Sequence, residues 1–157
     1  MTNAITSLPR LRISLVREPE STYKPLIRHS GDVCEYARDM ASLDREEFRI
    51  YLLDAKHHIT AFHTVSIGHL TSSLVHPREV FKAAILANAA ALIAVHNHPS
   101  GDPTPSQEDH ALTQRLINAG SLMGIELLDH VIIGHPGSYS FADHGVLPKP
   151  SNDCLNF

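Results

Sequence analysis

AALIAVHNHPSGDPTPSQED, residues 90–109, is the stretch on which the reading of this 157-residue chain turns. AALIAV (90–95) is a short, continuous apolar run between two candidate helices. Its length predicts a buried strand, with Ala89 to Ala91 readable as either helix end or strand start. If the chain stays extended through His98, side chains at i and i+2 point the same way. His96 and His98 then share one face at the strand's end, and Asn97 faces away. Pro99 stops a clean continuation as a central strand, and Gly101 permits a turn. TPSQ reads as a helix start, with Thr104 as N-cap, Pro105 at the first position and Gln107 completing a capping box. Asp109 falls in the second turn, three residues from Ser106 and so its neighbour on the helix surface. The short loop folds this helix back toward the strand end, where two imidazoles and a carboxylate can converge.

Three nitrogen and oxygen ligands plus a water is the ligand set of a catalytic zinc ion. Such an ion lowers the pKa of its water to about 7. A structural site would normally use four protein ligands, and no fourth lies nearby in sequence. The chemistry also needs a base, commonly a Glu. Glu108 adjoins Asp109 but projects about 100° away around the helix. An isolated HxH is weak evidence, because most histidines are surface or hydrogen-bonded core residues. HxH followed at this spacing by S-x-x-D is far more specific.

Outward from this stretch, PREVFKAAILANA (77–89) is a helix with Pro77 at its first position. The helix after the loop runs to about Met123, with Gly124 as its stop. IELLDHVIIG (125–134) and SYSF (138–141) read as a closing pair of strands. Upstream, FRIYLLD (48–54) and ITAFHTVSIG (59–68) form two strands joined by a turn at AKHH, and LTSSLVH (70–76) is a candidate third. SGDVCEYARDMASL (30–43) carries one apolar helical face, with Ser30 or Asp32 available as N-cap. EPESTYKP (18–25) is a turn-rich connector, RLRISLV (10–16) a half-exposed strand, and residues 1–8 a loose leader. The division is thus a leader and strand over 1–29, one domain over 30–147 and a tail over 148–157. Interspersed strands and helices predict an α/β or α+β class with one mixed sheet.

Composition bounds the function. The hydrophobic fraction of 43%, charged fraction of 19% and net charge of −4 are those of a globular domain without a basic face for duplex nucleic acid. The two cysteines, Cys34 and Cys154, form no CxxC, which excludes a cysteine-built zinc site and argues against a disulfide framework. The N-terminus has no apolar run long enough for a signal peptide or membrane span. The expectation is a cytoplasmic protein with no membrane association.

HxHP with the S-x-x-D ending is the signature of the JAMM (MPN+) metalloprotease motif. More narrowly, HPREVFKAAILANAAALIAVHNHPSGDPTPSQED and GIELLDHVIIG resemble the RadC-like JAB family. The resemblance covers roughly residues 30–147 and is dense over 76–134. It implies a zinc hydrolase with cytidine-deaminase-like α/β/α layering, a mixed sheet flanked by helices. His96, His98 and Asp109 would take the three ligand positions, and Ser106 the motif serine that helps stabilise an oxyanion. The catalytic glutamate of that family lies where a first helix gives way to a strand, here LDREEFRIYLLD. Glu46 fits best and Glu47 is the runner-up; alternation would put them on opposite faces. Glu79 belongs to the family pattern but sits at a helix N-terminus, where it favours the macrodipole. The implied substrate is a protein or peptide with a flexible tail, by analogy only. A homodimer is left open. Longer members carry an N-terminal helix-hairpin-helix-like segment for which this chain has no room, so it resembles a short form.

Rival readings are a DNA-repair-associated protein with an accessory metal domain, an HNH nuclease and a nucleoside deaminase. The first predicts a basic, aromatic-bearing surface, which is missing, so specific DNA binding is not expected. The second spreads its residues over a longer unit than the tripeptide HNH. The third needs HxE and PCxxC. Asp129 and His130 belong to the family pattern, His130 with a role either beside the site or as a core hydrogen-bond partner. His57, His58, His63 and His135 read as surface or turn residues, and Asn88 as a helix cap.

Overall fold

The computed structural model describes residues 12–15, 23–68 and 75–147. Its strands are β1 (Glu47–Leu53), β2 (Ile59–Ile67), β3 (Ala91–Asn97), β4 (Glu126–Gly134) and β5 (Gly137–Ser140); its helices are α1 (Ser30–Tyr36), α2 (Pro77–Leu86) and α3 (Gln107–Met123). They form one mixed five-stranded sheet in the order β2-β1-β3-β4-β5. Among the described residues only the β3–β4 pair is parallel, as a crossover through α3 requires. The fold is α/β, as expected.

Burial explains why β3 lacks alternation in sequence: all seven of its residues are buried. One face carries Phe48, Ile50, Leu92 and Ala94 against Val80 and Phe81 of α2 and Leu112 and Leu116 of α3. The other carries Tyr51, Leu53, Ile93 and Val95 against Val33, Ala37 and Met40 of the α1 region. Each fully buried large side chain contributes about 1.5–3 kcal/mol by leaving water.

Several expectations need correction. The helix expected over 30–43 ends at Tyr36 and continues as a 3-10 helix, Arg38–Ser42. The Tyr51 hydroxyl donates to the Tyr36 carbonyl at 3.2 Å, and the Met40 N–H turns to Ala37 O instead. Its N-cap is His29 rather than Ser30 or Asp32; Asp32 accepts from the Arg28 and His29 N–H groups from inside the first turn. Helix α2 stops at Leu86, three residues early, and Asn88 follows in the left-handed region at φ 53°, a helix-ending role. Strand β3 extends two residues beyond the apolar run, to Asn97. Of the strand expected over 10–16, only 12–15 are described and they form no strand. Most of the strand expected over 70–76 lies outside the described residues; His76 is the N-cap of α2. No helix among the described residues is long and apolar enough to cross a membrane.

Candidate metal centre

The loop between β3 and α3 sets the geometry. His98 N–H still donates to Ile133 O at 2.9 Å, so pairing with β4 outlasts β3 by one residue. Gly101, at φ +86°, then turns the chain. The loop lies flat on the end of β4 because Gly134 has no side chain: a Cβ there would strike Gly101 O and Pro103. Asp102 Oδ1 accepts from both the N–H and the hydroxyl of Thr104, at 2.9 and 2.6 Å. That turn engages Thr104, so the N-cap is Ser106, not Thr104. Ser106 Oγ accepts from Asp109 N–H at 3.1 Å, while the Asp109 carboxylate accepts from Ser106 N–H and hydroxyl at 2.7 Å each. Asp109 therefore sits in the first turn of α3, not the second, and is itself half of the capping box.

His96, His98 and Asp109 come together, with one ligand atom from each lying within 4.8 Å of the others. His96 Nε2 is 3.1 Å from His98 Nε2 and 3.1 Å from Asp109 Oδ1; His98 Nε2 is 3.5 Å from Asp109 Oδ2. Ligands held about 2.0–2.2 Å from a tetrahedral ion lie roughly 3.3–3.6 Å apart; the three separations lie within or just below that range, close to what a zinc ion requires. The donor chemistry fits as well. His98 Nδ1 faces Asp102 O at 2.7 Å and His96 Nδ1 faces His130 Nε2 at 2.9 Å. Each ring thus directs its Nε2 at the centre. Burial opposes ionisation of Asp109, but the adjoining His96 and His98 rings and the Ser106 hydrogen bonds outweigh it and hold the carboxyl well below its ordinary range. The Asp109 hydrogen bond in turn raises the His98 pKa above its ordinary 6.5, against the effect of burial.

A cleft of about 260 Å³ opens over this cluster, lined by Glu46, His98, Pro99, Ser100, Ser106 and Asp109. Glu46 thus shares the cleft with His98 and Asp109. Glu47 does not: its carboxylate accepts from Arg49 Nε at 2.7 Å and Thr64 Oγ1 at 2.9 Å on the opposite face. Glu79 lies in the first turn of α2, paired with Lys82.

Two features escaped the sequence reading. Asn97, fully buried, does more than face away. Its side chain accepts from Glu47 N–H at 2.8 Å and donates to Arg45 O at 3.0 Å. With Gly68 N–H donating to Glu46 O, the backbone is held on both sides of Glu46. Thr113 is the other; it bonds Asp109 O and faces His130. Its position four residues after Asp109 on α3 was the available signal. His57 and His63 are exposed, His58 pairs with Asp54, and His135 lies in the β4–β5 turn. Half-buried Cys34 donates to Ser138 Oγ, and Cys154 lies outside the described residues.

The sequence matches the family described as RadC-like JAB domain over residues 27–146. It is 53% identical over 123 residues to a UPF0758 protein of Desulforamulus reducens, covering 78% of this chain and 54% of that protein. A UPF0758 protein of Rubrobacter xylanophilus is 48% identical over 137 residues, 87% of this chain and 59% of that one. One of Thermotoga maritima is 44% identical over 138 residues, 88% and 60% respectively. The chain spans about half the length of the curated relatives it matches.

Proposed function

The chain belongs to the RadC-like JAB domain family, and from that premise we propose that it is a zinc-dependent hydrolase cleaving a peptide or isopeptide bond. The observation that carries this is one cleft lined by His98, Asp109 and a further carboxylate, Glu46, over a three-residue cluster that buried His96 completes.

Zinc, when bound by His96, His98 and Asp109, supplies a Lewis acid that acidifies water and polarises a carbonyl. Glu46 takes the proton of the attacking water and passes it to the leaving amine. Asn97 holds the backbone on either side of Glu46 and so fixes where that side chain leaves the main chain. Ser106 N–H and hydroxyl hold Asp109. For Ser106 to serve a developing oxyanion, its hydroxyl proton would turn into the cleft while its N–H keeps the carboxylate in place. The substrate in this reading is an extended, flexible segment of a protein, bound in the cleft beside Pro99 and Ser100.

The test is a screen of the zinc-loaded protein against tagged protein tails and peptide libraries. Cleavage abolished by chelation and restored by zinc supports the reading. Cleavage unaffected by chelation, or by His98→Ala, overturns it.

A further inference from the structure

We propose that His130 and Thr113 are positioning residues that fix the His96 ring in the tautomer whose Nε2 lone pair faces His98 and Asp109. The inference rests on the metal-binding part of the reading above and assigns the residues that prepare that site.

Thr113 Oγ1 donates to the backbone carbonyl of Asp109 at 2.6 Å. A hydroxyl has one proton to give. At 2.6 Å from His130 Nδ1, the same oxygen must therefore accept, and His130 carries its proton on Nδ1. His130 is fully buried, stacked on Phe141 at 5.0 Å and edge-on to Phe48 at 5.6 Å. Its ring nitrogens face a hydroxyl and another imidazole, not a carboxylate, so it is the neutral ring. Its Nε2 then bears a lone pair and accepts from His96 Nδ1–H at 2.9 Å. His96 is left with an unprotonated Nε2, directed at Asp109 Oδ1 and His98 Nε2, each 3.1 Å away. The chain of bonds begins at the main chain of one ligand, Asp109, and ends on the ring of another, His96. Thr113 follows Asp109 by one helical turn, so α3 supplies both the carboxylate and the proton acceptor that orders the opposite ligand.

Strand β4 shows how His130 comes to face this way. Leu92 pairs with Leu127, but Ile93 pairs with Asp129, leaving Leu128 as an extra residue. Had the ladder run without this bulge, Asp129 would share the face of Ala94 and His96, and His130 would point to the α1 side. The bulge shifts the register by one, and His130 pairs with Ala94 on the His96 face. Bulges re-aim side chains in this manner beside active sites.

The test uses the full chain and two readouts that need no substrate. Long-range nitrogen–proton NMR of histidine-labelled wild type should find His130 protonated at Nδ1, with and without zinc. Chelator competition should find zinc affinity lowered about 10–100-fold in Thr113→Val, which keeps shape but removes the hydroxyl. Thr113→Ser, which restores it, should bind as wild type does. His130 protonated at Nε2, or Thr113→Val binding zinc as tightly as wild type, or Thr113→Ser as weakly as Thr113→Val, overturns the proposal. If Thr113→Val does not fold, the wild-type tautomer decides. A wild type that binds no zinc sinks the proposed function, while the His130 tautomer remains readable by itself.

Discussion

The two faces of the sheet bury polar groups in opposite ways. On the α1 side, Asp129 accepts from His130 N–H, Ser140 hydroxyl and Ala142 N–H, at 2.7, 2.6 and 3.0 Å. Asn97 staples two backbone groups, and Glu47 joins Arg49 and Thr64. Every one of these bonds ends in the protein's own frame. On the α3 side, the bonds of His96, His98 and His130 occupy the nitrogens that face away from the centre and leave Nε2 of both ligand rings aimed at Asp109. Buried polarity whose bonds close on the scaffold builds structure. Buried polarity whose bonds leave lone pairs converging on a cleft prepares a ligand site.

The largest effect should come from breaking the α3 side. His96→Ala and His98→Ala should each reduce bound zinc from about one per chain to near none, with the fold largely kept, because the site sits on a preformed strand and helix. Metal analysis with circular dichroism checks this; full zinc in both variants refutes the ligand set. Protons should mimic the substitution. Zinc competes with a proton for His98 Nε2, and Asp109 raises that nitrogen's pKa above 6.5. Affinity should hold above the raised value and fall about tenfold per pH unit below it, as expected for one displaced proton. A flat affinity from pH 8 to 5 would contradict the assignment.

Next in size is Glu46→Gln. Zinc content should not change, since Glu46 lines the cleft without joining the ligand cluster. Hydrolysis of any substrate the wild type cleaves should drop about 10²–10⁴-fold, as for the loss of a general base. Full activity would end the role proposed for Glu46 and leave the metal site standing.

Asn97 tests whether the scaffold side serves the chemistry through position. In Asn97→Asp, one oxygen can still accept from Glu47 N–H, but the other meets the Arg45 carbonyl, acceptor against acceptor. The variant should keep its zinc and lose up to about 10²-fold in kcat with little change in KM, the pattern of a misplaced catalytic group. Lost zinc, or unchanged kcat, would break the link between Asn97 and Glu46.

Much of this was legible because short-range rules governed it. The i, i+2 spacing of His96 and His98 on an extended strand, the Pro77 helix start and the Gly124 stop, at φ 66°, each follow from one local cause. The alternation that separates Glu46 from Glu47 is equally local. The misreadings lay where tertiary contacts chose between local options. Thr104 and Ser106 are both good caps, and the Asp102 turn, itself pressed onto Gly134, decides between them. Nothing within 30–43 announces a break at Tyr36; the Tyr51 hydroxyl, from β1, takes the carbonyl that would have continued the helix. The bulge at Leu128, which sets the direction of His130, depends on registry with β3 and leaves no mark in LLDHVIIG.

The smallest effect should belong to Glu47→Gln, and it is the sharpest contrast with Glu46. The amide keeps an oxygen for Arg49 or Thr64, and Arg49 retains Asp39 at 2.7 Å. What disappears is one charge in a pair whose side chains are each 12% exposed, worth about 1–3 kcal/mol. Zinc content and hydrolysis should hardly move. The loss should be pH-dependent in a definite direction. The Arg49 hydrogen bond lowers the Glu47 pKa below its ordinary 4.5. A carboxylate with a depressed folded pKa contributes stability that is complete above the unfolded value and vanishes as pH falls through the folded one. Wild type and variant should therefore differ in denaturation midpoint at pH 7 and converge as the pH falls below about 4.5 and through the lowered folded value. A difference that widens on acidification would show that Glu47 is not held ionised by Arg49. A variant stable at pH 7 but devoid of hydrolysis would show that the strand register is one residue off and that Glu47, not Glu46, serves the metal.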